Sequence, residues 1–368
     1  MTDRERLLAC LLGKSVDRPP YWLFWGPWQG VFERWRREGM PAEFANYQDV
    51  RASFEADHRP VLVDVNCGPS PRRDHTTLEE TETEVVFLDS WGIKRRNLKK
   101  ITSMPEFIEF PVKTADDWRS YRDQWLQIDD PRRLDGPWLE TCHKAMAAGW
   151  PIQLGYFPDV GIFGTVRWLL GDEECLVAYA EQPELVHEIM GHMTDLYLWV
   201  FDKVVAADVR VDIIHIWEDM CGRQGPLISP AMWREFMGPC YRRIKAFADR
   251  HGIPLLSVDT DGQPDLIVPP MLEAGVNYVF PWEVAAGCDV NAVGAKYPTL
   301  AMMGGIDKRV LAISPDAIDA ELARIRPAVE RGRYLPDLDH LIPDDVSWPN
   351  FCHYARGLKS LGIRKQVL

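Results

Sequence analysis

Two stretches of the chain decide the fold, Val211-Asp-Ile-Ile-His-Ile-Trp-Glu-Asp219 and Pro254-Leu-Leu-Ser-Val-Asp-Thr-Asp-Gly262. Each begins with a short apolar run and ends in acidic residues, a pattern typical of a buried strand with a polar tip. The residues between them favour a helix, because Ser229 suits the N-cap, Pro230 suits the first helical position and Gly252 suits the end. A strand, a helix and a second strand in this order predict parallel strands joined by a helical crossover.

The same alternation continues towards the C-terminus. Further strands are predicted at 278–280, 299–303 and 334–335, with polar tips at Trp282-Glu283, Gly304-Gly-Ile-Asp307 and Asp337-Leu-Asp-His340. In a barrel the carboxyl ends of all strands lie at one face, so these tips are expected to converge. An open doubly wound sheet usually carries a glycine-rich phosphate turn, and no turn here reads GxGxxG or GxxxxGKS/T. The sequence therefore predicts an α/β fold, a (β/α)8 TIM barrel.

The first half of the chain predicts an elaboration of this barrel. Helices are predicted at 4–12 and 164–170, and strands at Tyr21–Trp25 and Pro151–Tyr156. Residues 79–98 alternate polar and apolar residues, which indicates an antiparallel hairpin inserted near the barrel mouth. No repeat, low-complexity tract or linker divides the chain, so a single domain over residues 1–368 is expected.

The chain is acidic and otherwise ordinary in composition. Of its 368 residues 46% are hydrophobic, and a net charge of -13 without a long Lys/Arg run makes nucleic acid an unexpected ligand. No apolar run reaches the ~18 residues of a membrane span, and the charged N-terminus lacks a signal core, so a cytoplasmic protein is expected. The eight cysteines contain no CxxC pair, which favours buried, reduced thiols over a disulfide framework.

A candidate metal site consists of Asp259, Asp261 and His340. Alternate residues of an extended segment point the same way, so both carboxylates could face one ligand just past a strand end. His340 arrives from another strand tip, and two carboxylates with one imidazole could hold a divalent cation with open positions. The alternative is an ordinary Asp-x-Asp-Gly turn whose side chains accept from backbone amides.

Other strand tips contain candidate catalytic residues. Glu218 and Asp219 lie where catalytic carboxylates would be placed, or they cap a loop or helix. Glu283 follows Trp282, and an apolar neighbour could raise its pKa for acid–base work, or it could simply pair with Arg or Lys. Cys221 is the one cysteine worth considering as a nucleophile, without an assignable histidine partner.

Three further residues are candidates for contacts with the substrate. His215 lies on the same side of its strand as Val211 and Ile213. If that side is the barrel interior, His215 contacts the substrate, or it is a satisfied core histidine or a supporting partner of another site residue. Trp25 and Trp28 lie near the tip of the first predicted strand and could line a pocket for a flat or methoxylated ligand.

Six short stretches, spread over nearly the whole chain in a specific order, carry a family resemblance. In these stretches the chain resembles the uroporphyrinogen-decarboxylase-like superfamily, whose fold is a (β/α)8 barrel. They are Arg4-Glu-Arg-Leu-Leu8 with Gly13-Lys-Ser-Val-Asp17-Arg-Pro19, Asp89-Ser-Trp-Gly92, Gly225-Pro-Leu-Ile-Ser-Pro230 with Pro239, Asp259-Thr-Asp-Gly262, Pro281-Trp-Glu283 and Gly304-Gly-Ile-Asp-Lys308.

The resemblance implies one of two kinds of enzyme. The true decarboxylases have an arginine-containing stretch after the first strand that holds substrate carboxylates, and here that place reads Phe24-Trp-Gly-Pro-Trp28 without a cation. Activity on uroporphyrinogen is therefore not expected. The corrinoid-dependent methyltransferases of the superfamily often bind zinc through His-x-Cys and a later Cys. By position Asp259 and Asp261 take the places of the first two ligands, and His340 takes the place of the third.

The function expected from these features is methyl transfer from a small methylated substrate, such as an aromatic methyl ether, to a corrinoid protein. Asp259, Asp261 and His340 would bind a divalent metal such as zinc or the leaving oxygen, and the other carboxylates would move protons. The alternatives are a cofactor-independent decarboxylase or lyase acting on a smaller acid through Asp89 or Asp219, and a tetrapyrrole-binding protein without catalysis. A homodimer is expected as the commonest assembly of soluble enzymes.

Overall fold

The structure is a computed structural model that describes residues 1–28, 30–99 and 104–361. The strands found in these residues are β1 (Val61–Leu62), β2 (Thr76–Glu80), β3 (Glu84–Leu88), β4 (Lys94–Leu98), β5 (Glu106–Glu109), β6 (Ile152–Leu154), β7 (Ile213–Trp217), β8 (Cys221–Gly222), β9 (Gly225–Pro226), β10 (Leu255–Asp259), β11 (Tyr278–Phe280), β12 (Ala301–Ile306) and β13 (Tyr334–Leu338). Seven of them form a curled parallel sheet in the order β1-β6-β7-β10-β11-β12-β13. The predicted α/β barrel fold is confirmed.

Helices surround the sheet and close one end of it. They are α1 (Asp3–Leu11), α2 (Val31–Arg37), α3 (Tyr47–Ser53), α4 (Ala115–Trp125), α5 (Trp138–Ala148), α6 (Phe163–Leu170), α7 (Asp172–Glu181), α8 (Pro183–Ala206), α9 (Pro230–Met232), α10 (Gly238–Arg250), α11 (Val268–Glu273), α12 (Val290–Lys296), α13 (Pro315–Arg324), α14 (Arg326–Arg331) and α15 (Trp348–Ser360). Short 3-10 helices lie at Pro131–Leu134, Val284–Ala286 and Lys308–Ala312. No helix of the described residues is both long and apolar enough to cross a membrane.

Alternate residues of the parallel strands point into the barrel. Ile213 and Leu255, at the starts of β7 and β10, pack with Trp22 and with Leu7 and Leu11 of α1 in one buried cluster. The amphipathic helix α1 therefore closes the amino-terminal end of the barrel, and the polar strand tips lie at the other end.

The predicted first strand, Tyr21–Trp25, is wrong as a strand, although the segment takes the place of one. Leu23 has a φ of 49°, a left-handed conformation that interrupts regular strand pairing. Instead, the backbone N–H of Phe24 donates to Asp337 Oδ2 of β13 (2.8 Å), and the backbone N–H of Asp57, just before β1, donates to the carbonyl of Tyr21 (2.7 Å). The segment therefore lies between β13 and β1, where an eighth strand would close the barrel.

The predicted helix after Ser229 is confirmed, with an irregular first half. The Ser229 hydroxyl accepts from the backbone N–H of Met232 (3.1 Å), and Pro230 is the first helical residue. A π-helical segment, Trp233–Met237, separates α9 from α10. The helix predicted from Ser314 is confirmed as two consecutive helices, α13 and α14.

The predicted hairpin at 79–98 belongs to a larger antiparallel sheet in the order β2-β3-β4-β5. Asp89, between β3 and β4, accepts from the backbone N–H groups of Trp91 and Ile93 (both 2.9 Å) and pairs with Arg95. These contacts stabilise the turn between β3 and β4. The Asp89 carboxylate therefore has a structural role in this turn and is not one of the groups at the strand tips of the barrel.

The contact between Asp337 and the closing segment predicts a measurable loss of stability. Replacement of Asp337 by alanine leaves the Phe24 N–H without its acceptor, and the free energy of unfolding should fall by about 2 kcal/mol. Asp337→Asn keeps an acceptor oxygen and should cost less. Urea unfolding of both variants measures the difference, and equal losses would contradict the role of the hydrogen bond.

Asp337 also predicts a pH dependence of stability. Burial raises its pKa from 3.8 to about 6, so the folded protein binds this proton more tightly than the unfolded chain does. The stability that this proton contributes is therefore fully present at pH values below the unfolded-state pKa of 3.8. It is lost as the pH rises through the folded-state pKa of about 6. The wild type should lose up to about 3 kcal/mol relative to Asp337→Asn over this window. Urea unfolding across the window checks it, and parallel curves would contradict it.

Candidate active site

Three carboxylates meet at the carboxyl ends of neighbouring strands. Asp219 follows β7, Asp259 ends β10 and Asp261 lies two residues further on. Each offers an oxygen within 4.8 Å of an oxygen of the other two, close enough for one cation to contact all three. We call Asp219, Asp259 and Asp261 the carboxylate cluster.

The backbone at Asp219 is strained and held by an arginine. Asp219 has a φ of 45°, which costs on the order of 1–3 kcal/mol for a residue other than glycine. Arg167 of α6 donates from Nη1 to the Asp219 carbonyl (2.6 Å), and the same nitrogen lies 3.9 Å from Asp219 Oδ2. Arg167 is itself held by Asp172 (2.7 Å). Strain that surrounding contacts maintain in this way is common at functional sites.

His340 lies beside the cluster, behind an aromatic ring. Its Nε2 is 3.6 Å from Asp261 Oδ2, so the structure brings together two of the three predicted metal ligands directly. The indole of Trp25 stacks on the imidazole, with ring centroids 4.6 Å apart and planes 22° apart. Burial lowers the pKa of His340 to about 4, with a further contribution from the Lys308 charge, so the ring is neutral at neutral pH.

Glu283 holds the loop that contains Asp261. Its Oε2 accepts from the backbone N–H of Gly262 (2.9 Å), and its Oε1 lies 3.9 Å from the Lys308 ammonium. Gly262 is required here, because its φ is 77° and a side chain would meet the carbonyl oxygen of Gly222 at 2.5 Å. The structure thus places Glu283 next to the cluster in the ion pair that the sequence left open as an alternative.

Burial makes the cluster a poor place for three negative charges. Burial, together with the charges of Asp219 and Glu283, raises the pKa of Asp261 to about 7, against the lowering effect of Lys308 and Arg167. The pKa values of Asp219 and Asp259 are raised as well, mainly by burial and partly by neighbouring carboxylates. The cluster therefore either retains protons near neutral pH or takes up a cation.

Glu218 lies apart from the cluster despite being the neighbour of Asp219. Its side chain is fully buried and accepts from the backbone N–H groups of Ile162 (3.1 Å) and Gly164 (2.8 Å) and from the Tyr241 hydroxyl. Burial raises the pKa of Glu218 to about 7, against these hydrogen bonds. The carboxylate joins β7 to the start of α6 and to α10, so its contacts stabilise the fold, and the catalytic role expected from the sequence stays a prediction.

The remaining predicted residues are divided between the interior and the outer core. His215 faces the barrel interior, where its Nδ1 lies 3.1 Å from Ser257 Oγ and its ring stacks on Phe280. Trp25 packs against two groups of buried apolar residues, namely the group inside the barrel that contains Trp22 and Ile213 and the larger outer core between the sheet and the helices. Trp28 packs against the outer core, and its backbone N–H donates to the Ile342 carbonyl (3.2 Å). The structure thus brings Trp25, and not Trp28, to the cluster through His340.

The group of carboxylates in the structure differs from the predicted set of metal ligands in its third member. Asp259 and Asp261 lie together, but the third group within 4.8 Å of both is Asp219, and His340 approaches Asp261 alone. The donor chemistry fits a divalent cation, because three carboxylates and a neutral imidazole are hard to borderline ligands. The roles of these residues in binding or catalysis stay predictions.

Comparison with known proteins identifies the family. The family model described as uroporphyrinogen decarboxylase matches residues 170–354, half of the chain. The chain belongs to the uroporphyrinogen decarboxylase family. The matched range contains the carboxylate cluster, Glu283 and His340, and the resemblance predicted from the sequence is confirmed.

Individual relatives within this family are distant. A uroporphyrinogen decarboxylase from Rhodococcus erythropolis (strain PR4 / NBRC 100887) is 25% identical over 344 residues, which are 91% of this chain and 88% of that protein. One from Nocardia farcinica (strain IFM 10152) is 28% identical over 357 residues, 93% of this chain and 90% of that protein. A solved methyltransferase from Methanosarcina mazei superposes with a TM-score of 0.61 at 17% identity, covering 98% of this chain and 99% of that one. At this identity the likeness shows the fold alone.

Two basic residues of the site, Lys308 and Arg167, were not predicted from the sequence. Lys308 follows the Gly304-Gly-Ile-Asp307 tip, so its place at the end of β12 was a usable signal. Arg167 lies inside α6, where an arginine is ordinary, and only the packing of α6 against β7 brings it to Asp219. The site therefore contains cations that already have acidic partners.

Proposed function

We propose that this protein is a methyltransferase that removes a methyl group from a small methylated substrate and passes it to a corrinoid protein. The observation that carries the proposal is the carboxylate cluster with His340 beside it, at the barrel face where the enzymes of this fold act. The membership in the uroporphyrinogen decarboxylase family supports an enzymatic role.

The charge of the site argues against a polyanionic substrate such as a porphyrinogen. Asp219, Asp259 and Asp261 face the same space, and the nearby cations Arg167 and Lys308 already contact Asp219 and Glu283. An added carboxylate would meet repulsion from these three groups. The absence of cations from 24–28 points the same way, so a small neutral or cationic substrate is favoured.

The residues that would hold a divalent cation are Asp219, Asp259 and Asp261, with His340 as a further donor. A cation there would supply Lewis-acid polarisation of the substrate oxygen, and the partner corrinoid would accept the methyl group. The chain itself binds and orients: Trp25 fixes the plane of His340, and Arg167 maintains the conformation of Asp219. The leaving oxygen keeps the electron pair of the broken C–O bond and takes a proton from water when Asp261 is an ionised ligand of the cation. Without a cation, the raised pKa of Asp261 suits this residue to supply the proton.

Methyl transfer is tested with reduced cobalamin as the corrinoid probe and a panel of aromatic methyl ethers, methanol and methylamines. We expect loss of the reduced cobalamin absorbance with at least one donor, and strong slowing in His340→Ala. His353→Ala is the matched control, because His353 of α15 pairs with Asp319 of α13 (2.7 Å), and the replacement should leave the rate unchanged. Inactivity of the wild type with every donor would contradict methyl transfer.

Elemental analysis of protein purified without chelator tests the cation. Near-stoichiometric zinc or another divalent metal is expected in the wild type and should be lost in Asp261→Ala and His340→Ala. If the wild type holds no metal even after reconstitution, the second candidate gains support, namely a cofactor-independent lyase acting on a smaller acid. The raised pKa values of the cluster favour that candidate, because they make its members proton donors near neutral pH.

A further inference from the structure

A buried polar pair lies beneath the carboxylate cluster. His215 of β7 and Ser257 of β10 are register partners in the parallel sheet, and both side chains point into the barrel. The His215 Nδ1 and the Ser257 Oγ are 3.1 Å apart, and both residues are buried. A buried hydroxyl and imidazole in this arrangement satisfy each other's hydrogen bonding.

The other nitrogen of His215 faces the cluster. Its Nε2 lies 3.9 Å from Asp259 Oδ2, and the ring of Phe280, from the next strand, stacks on the imidazole with centroids 5.4 Å apart. The stacking and the contact with Ser257 together leave the imidazole little freedom to turn away from Asp259.

Each carboxylate of the cluster has one basic group beside it. Asp219 has Arg167 beside it, and Asp261 has His340. Within the described ranges no side-chain or backbone donor forms a hydrogen bond with the Asp259 carboxylate, and the one basic group within 4 Å is His215. Among the described residues, His215 is therefore the group placed to orient this carboxylate from below.

We propose that His215 is a positioning residue for Asp259 and that Ser257 selects its tautomer. The hydroxyl of Ser257 donates to Nδ1, so the single N–H of the neutral ring lies on Nε2 and points at Asp259. A cation bound by the cluster then meets a carboxylate already turned towards it. This inference rests on the proposed function only in that Asp259 takes part in cation binding.

Two amide replacements separate the two nitrogens of His215. Glutamine places its amide near the position of Nε2, facing Asp259, whereas asparagine places its amide near Nδ1, facing Ser257. With Mn²⁺ alone as the probe, calorimetry should show His215→Gln within about threefold of the wild type and His215→Asn weaker by about 10–100-fold. Ser257→Ala should lie between them. Urea unfolding of each variant verifies that it is folded.

The outcomes distinguish this inference from the proposed function. Equal Mn²⁺ affinities of folded His215→Gln and His215→Asn would overturn the positioning role while leaving cation binding intact. A wild type that binds no Mn²⁺ would contradict the cation site itself. In that case the positioning role is tested by the carboxyl ¹³C chemical shift of Asp259, whose resonance is assigned by its absence in Asp259→Asn. This chemical shift should change in His215→Asn and remain that of the wild type in His215→Gln. Identical spectra of the two variants would overturn the inference.

Discussion

Asp261→Asn is expected to weaken divalent cation binding by at least about 100-fold, since even residues that only orient a ligand commonly contribute 10–100-fold. Asp261 is the member of the carboxylate cluster that also approaches His340, so its removal breaks both the three-carboxylate set and the contact with the imidazole. Methyl transfer should fall by about 10²–10⁴-fold, because the leaving oxygen loses the cation that would offset its developing charge.

Stability should respond in the opposite direction. The amide is uncharged, so the variant loses the repulsion that Asp219 and Glu283 exert on Asp261 in the protein without metal. The metal-free variant should therefore unfold at a urea concentration no lower than that of the metal-free wild type. If Asp261→Asn keeps or gains stability while it loses cation binding, Asp261 contributes to function and not to folding.

The matched control is Asp265→Asn, four residues along the same loop. Asp265 pairs with Lys296 (2.6 Å) on the surface, away from the cluster, and its replacement should change neither cation affinity nor methyl transfer. Calorimetry with Mn²⁺ measures the affinities. Affinities that agree between wild type and Asp261→Asn would remove Asp261 from the cation site.

Glu218→Ala is expected to lower the free energy of unfolding by about 3–5 kcal/mol. The change removes the acceptor of the Ile162 and Gly164 N–H groups and of the Tyr241 hydroxyl, in a place that solvent does not reach. Glu218→Gln keeps one acceptor oxygen but turns an amide donor towards other donors, so it should cost about 1–3 kcal/mol.

The control for this prediction is Glu235→Ala, because Glu235 is exposed on the π-helical segment and should shift stability by less than about 0.5 kcal/mol. Denaturant unfolding followed by circular dichroism measures all three variants. A Glu218→Ala protein with normal stability and lost activity would return Glu218 to the catalytic role expected from the sequence, and would contradict the structural role assigned from its contacts.

Much of the fold could be predicted because its signals are local. The apolar runs of β7, β10 and β11 and the Ser229-Pro230 helix start are short patterns whose meaning depends on a few neighbouring residues. The run at Tyr21–Trp25 is also apolar but does not form a strand, because Leu23 adopts a left-handed backbone conformation in the fold. That conformation goes with distant contacts, such as the one between Phe24 and Asp337, which no local pattern shows.

The sequence by itself determined that Asp219, Asp259 and Asp261 lie near strand ends and that His215 shares one side of its strand with Ile213. Strand period and chain direction suffice for that, since alternate residues share a side and parallel strands share an end. Only the tertiary structure decided that Asp219 joins the cluster while Glu218 turns away to Tyr241, and that His340 approaches Asp261 alone. These separations depend on how the sheet curls and how α6 and α10 pack on it, because a distance between two strand tips is a property of the closed fold and not of either strand.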